Sequence, residues 1–362
     1  MTDLVKENTK MRMRPLVIGD LIAKIPIIQG GMGVGVSRSN LAGAVAKEGG
    51  IGIISTAQIG YDEPDFEKNQ IEANLKAIKN HMKKARELAA GGIIGVNIMV
   101  ATKQYERYVQ SACEAGADVI ISGAGLPISL PALVKGFKTK IAPIVSSLKA
   151  ASVILKMWDK KYQRTADFIV VESPHAGGHL GFRKEELDRM DAIDFDKEIK
   201  DIISYKKAFE EKYQMHIPVV VAGGIFDQED VKHALSLGAD GVQIATRFVV
   251  TKECDASPAY KQAYIDAKEE DVKIVISPVG MPGRAIMNGF MKRVEAEGKL
   301  PIKKCYHCLE HCSPKVAPYC ITKALIDAVR GNIEEGLIFC GSNVHRLKEM
   351  TTVNAIFKEL VF

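Results

Sequence analysis

The sequence predicts an α/β fold, a (β/α)8 TIM barrel, and three observations lead to this prediction. Short apolar segments recur along the chain, and nearly all of them end in glycine or small polar residues. Amphipathic segments with helical periodicity separate them, so that a strand and a helix alternate roughly every 25 to 40 residues. Eight such units, about 220 residues in all, fit a closed barrel of parallel strands. A doubly wound open sheet is the alternative, but it gives no reason for evenly spaced strands.

The strands and helices can be placed along the chain from this pattern. The predicted strands are residues 25–29, 51–55, 93–99, 119–122, 141–146, 168–171, 218–222 and 241–245. The predicted helices include residues 40–47, 71–88, 105–114, 148–162 and 227–237. Asp227 is placed to cap the last of these helices.

Composition excludes several classes of protein. The chain has 362 residues, 47% of them hydrophobic, and a formal net charge of +5 that comes from 49 basic and 44 acidic residues. No apolar run approaches the roughly 18 residues of a membrane helix. No basic stripe is interleaved with aromatic residues, as nucleic-acid binding would favour. Residues 1–14 are charged and lack a hydrophobic signal region, so we expect a cytoplasmic protein with neither membrane nor nucleic-acid partners.

The end of the sixth predicted strand carries the most informative local pattern. An apolar run gives way to Glu172-Ser173-Pro174-His175-Ala176-Gly177-Gly178-His179. Active-site groups of barrel enzymes lie just beyond the carboxyl ends of the strands, and glycines there allow close approach of a ligand to the backbone. The pattern therefore predicts catalytic roles for His175 and His179, against the simpler interpretation of a tight turn with a surface histidine.

A phosphate site is predicted after the last two strands. Ala222-Gly223-Gly224 ends the seventh strand, and Gln243-Ile244-Ala245-Thr246 ends the eighth. Barrels commonly bind phosphate with these two loops, through backbone N–H groups and hydroxyls. Glycines required only by tight loops are the alternative explanation.

These motifs together resemble the nitronate monooxygenase family, formerly called 2-nitropropane dioxygenase, which includes FMN-dependent enoyl-acyl-carrier-protein reductases. The resemblance runs from about Pro15 to Phe290 and also rests on the segments 26–33 and 95–97. It implies an FMN-binding barrel with His179 as the active-site histidine. It also implies FMN contacts from Gly31, Met32, Asn97, Gly123, Gly178, Ala222, Gly223, Gly224, Gln243, Ala245 and Thr246.

The chain departs from the family pattern at two positions, and the chemistry stays open between two reactions. His175 replaces an acidic or small residue, and Ala245 replaces a common glycine. Nitronate oxidation by oxygen, giving a carbonyl compound and nitrite, is the predicted reaction. The segment 122–127 resembles the reductase branch, in which NAD(P)H reduces FMN and an enoyl thioester, with acyl carrier protein as a partner, is reduced. A non-catalytic flavin-binding module is a third alternative, and a homodimer is expected.

The cysteines of the C-terminal region form a second candidate site. Cys305, Cys308, Cys312 and Cys320 lie within sixteen residues of a chain with seven cysteines. Such crowding without a signal peptide favours metal or redox chemistry over disulfides. Four thiolates suit an iron–sulfur cluster of the 4Fe-4S type or a structural zinc ion, and the spacing is similar to that of the cluster-binding cysteines of flavin-dependent dienoyl-CoA reductases. Ordinary reduced cysteines are the alternative.

The predicted organisation is an N-terminal arm at residues 1–24, the barrel at 25–300 and a Cys-rich helical segment at 301–362. The stretch 183–216 is longer than a standard loop and helix. It is therefore predicted to contain an insertion near His179 that serves as a lid.

Overall fold

A closed barrel of eight parallel strands forms the centre of the molecule, as the sequence predicts. The computed structural model describes residues 13–362, so the first part of the predicted N-terminal arm lies outside the described residues. The barrel strands are β3 (Ile27–Gln29), β4 (Ile51–Ser55), β5 (Ile93–Met99), β6 (Val119–Gly123), β7 (Lys140–Val145), β8 (Ile169–Glu172), β10 (Val219–Ala222) and β11 (Gly241–Ile244). Strand β11 pairs in parallel with β3, which closes the barrel.

Helices on the outside of the barrel follow most strands. They are α1 (Ser39–Lys47), α2 (Gln70–Leu88), α3 (Tyr105–Glu114), α4 (Leu130–Leu133), α5 (Leu148–Tyr162), α6 (Lys184–Leu187), α7 (Phe195–Tyr213), α8 (Gln228–Ser236), α9 (Thr246–Val249) and α10 (Pro258–Asp266). Asp227 caps α8 by accepting hydrogen bonds from the amides of Glu229 and Asp230, as predicted. Within residues 13–362, none of the helices has the length and apolar composition needed to cross a membrane.

The alternation of side chains along each strand separates the barrel interior from the layer beneath the helices. Ile53, Ile121, Val170 and Val220 are fully or almost fully buried in the interior cluster. A short hairpin, β1 (Leu16–Ile18) with β2 (Leu21–Ala23), contributes Leu16, Ile18 and Ala23 to the same cluster. This hairpin therefore covers the amino-terminal end of the barrel, and ligand access is left to the carboxyl end.

A small antiparallel sheet stands beside the carboxyl end of the barrel. It consists of β12 (Val272–Ile276), β13 (Pro282–Ile286) and β9 (Gly178–His179), in that order. Strand β9 lies between β8 and α6, just before the stretch 183–216 that the sequence predicts to contain an insertion. Helix α7 itself packs against α5 as an outer barrel helix, and its Glu198 carboxylate accepts the amide of Leu148. The extra part of the predicted stretch before α7 is thus residues 183–194, and its closure as a lid stays a prediction.

The C-terminal segment packs closely on the barrel. It contains α12 (Ile321–Arg330) and α13 (Val353–Leu360), and α11 (Gly289–Glu297) precedes it. Helix α13 lies against the barrel through Phe357, whose ring is 6.1 Å from that of Phe248, and through an ion pair between Glu359 and Arg247. Because α12 and residues 337–343 run over the carboxyl end of the barrel, this segment supplies part of the wall of the functional site.

Candidate active site

One cavity of about 260 Å³ lies at the carboxyl ends of the barrel strands. All of the residues for which the sequence predicts catalytic or FMN-binding roles line it. They are Gly31, Met32, Asn97, Gly123, His175, Gly178, His179, Ala222, Gly223, Gly224, Gln243, Ala245 and Thr246. The position agrees with the rule that barrel enzymes keep their active sites at this face. The individual roles of these residues stay predictions.

The end of strand β3 packs tightly against its neighbours and lines the cavity with backbone alone at Gly31. A Cβ atom on Gly31 would lie 2.4 Å from the Cβ of Asn97, so only glycine fits between β3 and β5 at this point. The loop that follows is held by Ser37, whose hydroxyl accepts the amide of Met32 at 2.8 Å. Asn97 is fixed in turn because its side-chain amide donates to the carbonyl of Ile121.

The loop after β10 has a backbone that requires glycine twice. Gly223 and Gly224 have φ values of +85° and +80°, which L-residues rarely adopt. A Cβ on Gly223 would also come within 2.7 Å of the Ser173 hydroxyl oxygen. The side chain of Asn343 donates to the carbonyl of Gly224 at 2.8 Å and so holds the loop from the C-terminal segment.

The second half of the predicted phosphate site faces this loop. Strand β11 ends at Ile244, and Thr246 begins the short helix α9. A Cβ on Gly341 would lie 2.6 Å from the Thr246 hydroxyl oxygen. The glycine at this position of the C-terminal segment therefore leaves room for the hydroxyl in the cavity. The two loops that the sequence predicts to bind phosphate therefore lie side by side, and both contact the C-terminal segment.

His179 has a free ring nitrogen at the cavity. It pairs with Gly283 across the small sheet, and its ring packs at 5.2 Å on that of Phe339. The Nε2 atom is buried and has no hydrogen-bond partner among the described residues. Burial lowers the pKa of His179 to about 4, so the imidazole is neutral near pH 7 and can accept a proton. A buried polar atom without a protein partner is expected where a ligand supplies the partner.

His175 differs from His179 in its surroundings. It is exposed at the cavity mouth, and its Cβ lies 3.1 Å from the position that a Cβ on Gly224 would take. Partial burial, with the positive charge of Arg284 nearby, lowers its pKa. His175 is thus close to the predicted phosphate loop, while His179 lies in the enclosed part of the site.

Glu172 is a candidate functional residue for which the sequence pattern predicts no role. It is the last residue of β8 and lines the cavity. Val170 points into the barrel interior, so strand alternation turns Glu172 the same way. No side chain or backbone N–H of residues 13–362 donates a hydrogen bond to its carboxyl group. Burial raises the pKa of Glu172 to about 8, which leaves it largely protonated at neutral pH.

The sequence signal for Glu172 is its position two residues after Val170, which gives both side chains the same inward direction.

The cavity wall also includes Leu309, Ile321, Leu325, Phe339 and Cys340 from the C-terminal segment, and no sequence pattern indicated these. No lysine or arginine is among the lining residues in the described part of the chain. The cavity is therefore largely apolar, with the neutral imidazole of His179 and the neutral carboxylic acid of Glu172 inside it and His175 at its mouth.

The four clustered cysteines lie next to this cavity. They line one small cavity together, and Cys308 also lines the large one. All seven cysteines of the chain lie in the described region and are free thiols. Across residues 13–362, no three His, Cys, Asp or Glu side chains converge as the ready ligands of a metal ion. The structure thus brings the four predicted ligands together but does not establish a metal.

A closed parallel barrel whose carboxyl end holds a cavity lined by glycines, His175, His179 and Glu172 defines an enzyme of the (β/α)8-barrel class. A family model described as nitronate monooxygenase matches residues 15–362. The chain belongs to the nitronate monooxygenase family, and it is an oxidoreductase.

Individual relatives agree with this assignment. The chain is 24% identical to a probable nitronate monooxygenase of Bacillus subtilis (strain 168), with 92% of this chain and 94% of the relative covered. It is 28% identical to a probable nitronate monooxygenase of Staphylococcus aureus (strain Newman), covering 78% and 81% of the two chains.

Solved structures share the fold. FabK from Thermotoga maritima matches with a TM-score of 0.67 at 23% identity, covering 92% of this chain and 91% of that one. A nitroalkane oxidase from Streptomyces ansochromogenes matches with a TM-score of 0.69 at 19% identity, covering 92% and 94%.

Proposed function

We propose that the protein is an FMN-dependent oxidoreductase that oxidises nitronates or nitroalkanes with oxygen to a carbonyl compound and nitrite. The observation that carries the proposal is His179, a neutral imidazole with an unpartnered nitrogen in the cavity of a nitronate monooxygenase family member. Such a group can remove the α-proton of a neutral nitroalkane, or donate a hydrogen bond to the nitro oxygens of a nitronate in its other tautomer.

The cavity fits FMN by its shape and its donors. Gly31, Gly223 and Gly224 line the cavity with backbone alone, and a Cβ on Gly31 or Gly223 would clash with Asn97 or Ser173. The exposed backbone of that turn and the Thr246 hydroxyl would hold the phosphate. Bound FMN supplies the electron-transfer chemistry that protein side chains lack. The lining residues orient the substrate, exclude water and handle protons.

We expect FMN to copurify with the protein or to be taken up on addition. Thr246→Val should weaken FMN binding roughly 10- to 150-fold, because a hydrogen bond to a charged group contributes about 1.5 to 3 kcal/mol. Thr246→Ser, which keeps the hydroxyl, should bind FMN like the wild type. Flavin fluorescence quenching measures both affinities. Protein that stays colourless with excess FMN would contradict the cofactor assignment.

Enoyl-thioester reduction by NAD(P)H is the second candidate function, and Glu172 favours it. Reduction of a carbon–carbon double bond requires a proton at the carbon next to the thioester carbonyl as well as a hydride. A carboxylic acid that is protonated at neutral pH in an apolar cavity is a suitable proton donor. Acyl carrier protein would be the carrier of the acyl group in this reaction.

A side-by-side assay separates the two functions. Oxygen-dependent release of nitrite from the nitronate of 2-nitropropane is the expected result. Oxidation of NADPH that depends on a crotonyl thioester, without nitrite release from nitronate, would replace the first proposal by the second. FMN-loaded protein that is inactive in both assays would contradict both proposals and favour the flavin-binding module.

A further inference from the structure

Four cysteines of the C-terminal segment surround one small cavity on the outer side of the active-site wall. Cys305, Cys308, Cys312 and Cys320 all line it, and each keeps some solvent exposure. The other three cysteines of the chain, Cys113, Cys254 and Cys340, are buried elsewhere. The grouping is therefore specific to these four residues and brings together two separate parts of the segment, residues 305–312 and Cys320.

Backbone amides point at the sulfur atoms of this group. The amide of His307 donates to the Cys305 sulfur at 3.4 Å. Cys320 is the N-cap residue of α12, so its side chain lies near the backbone amides at the start of that helix. Hydrogen bonds from backbone N–H groups to sulfur stabilise thiolates and are a recurrent part of the surroundings of metal–thiolate centres.

The backbone conformation also brings the first two cysteines together. His307, directly before Cys308, has a φ of +47°, which bends the Cys305-x2-Cys308 segment so that both side chains face the same cavity. A Cys-x2-Cys turn of this kind places two thiolates on one centre, and a later pair can complete a set of four. Cys312 and Cys320 are that later pair.

The spacing of the sulfur atoms bears on the kind of metal. A single zinc ion with Zn–S bonds of about 2.3 Å holds its four sulfur atoms within about 4 Å of one another. Across the described residues 13–362, no three His, Cys, Asp or Glu side chains form a ready-made site for a metal ion. A cube of four iron and four sulfide ions spreads its ligands farther apart, because each thiolate binds a different iron. The four thiols line one cavity and could serve either centre. A cluster can transfer electrons and zinc cannot, which suits a position beside the cavity of an oxidoreductase that Cys308 also lines.

We propose that Cys305, Cys308, Cys312 and Cys320 bind one metal centre through four thiolates, with an iron–sulfur cluster of the 4Fe-4S type as the expected occupant. Cys308 and its neighbour Leu309 line the large cavity as well as the small one. The same is true of Ile321, which follows Cys320. The centre would therefore lie directly behind the wall of the active-site cavity and would fix the position of that wall.

The experiment is metal and sulfide analysis of the full-length protein prepared without oxygen, followed by electron paramagnetic resonance after reduction with dithionite. We expect about four iron and about four sulfide ions per chain, and a low-temperature signal from the reduced cluster. Cys305→Ser and Cys312→Ser should each lose most of the metal. Cys113→Ala, a change of a buried cysteine on α3, should keep it.

Each outcome decides the proposal. One zinc ion per chain that is lost in both serine variants would support the four-thiolate site with the smaller occupant. Neither metal in wild-type protein, after reconstitution with ferrous iron and sulfide, would overturn it. Full metal content in the folded serine variants would overturn it as well. If the serine variants do not fold, the metal content of the wild type alone decides.

Discussion

Replacing His179 by alanine should lower kcat at least ~100-fold while FMN remains bound, since a positioned acid or base contributes about that much. The ring contacts Phe339 and the cavity but donates no hydrogen bond that holds the fold together. Its removal should therefore affect turnover far more than folding. Turnover at saturating substrate measures the loss of kcat, and the flavin absorbance of the purified variant shows whether FMN stays bound.

Two further variants give the His179 experiment its controls. His179→Gln keeps hydrogen-bonding capacity without an ionisable ring, so it should restore part of the affinity for a nitronate but not the turnover of a neutral nitroalkane. His175→Ala should be milder, because His175 is exposed at the cavity mouth. Wild-type turnover in His179→Ala would remove this residue from the mechanism.

The second prediction with a large expected effect concerns Glu172: the free energy of unfolding of the wild type should fall as the pH rises. The pKa of its carboxyl is about 8 in the folded protein against an ordinary value of 4.5. As pH rises from about 4.5 to about 8, the unfolded chain loses the proton while the folded chain keeps it. The free energy of unfolding should therefore fall across this window and level off above it. Burial of the carboxylate should contribute roughly 3 to 5 kcal/mol to this fall.

Glu172→Gln isolates this contribution, because glutamine stays neutral at every pH. The variant should unfold with nearly the same free energy as the wild type at pH 4, and should be the more stable protein at pH 8 to 9. Urea denaturation of FMN-free protein at several pH values is the measurement, and Glu87→Gln, a change of an exposed residue on α2, is the control. If the wild type and Glu172→Gln respond to pH in parallel, the carboxyl is not buried in its neutral form.

The sequence by itself determined the fold, because a parallel barrel has a strong local signature. Each strand is covered on both sides, so it appears as a short uninterrupted apolar run, and each helix carries one apolar face. Asp227 could be placed as a cap from residue type and position alone. The candidate site at β3, β5, β10 and β11 followed for a related reason, since Gly31, Gly223 and Gly224 occupy positions where any side chain would clash or strain the backbone.

Only the tertiary structure decided what surrounds those residues. Leu325, Phe339 and Gly341 reach the cavity through contacts with residues far away in the chain, and no local pattern encodes such contacts. The same holds for ionisation, because a pKa depends on burial and neighbours rather than on residue type. Glu172 and His179 both appear in the sequence as ordinary titratable residues. Their enclosure by the barrel, the small sheet and the C-terminal segment is what leaves one a neutral acid and the other a neutral base.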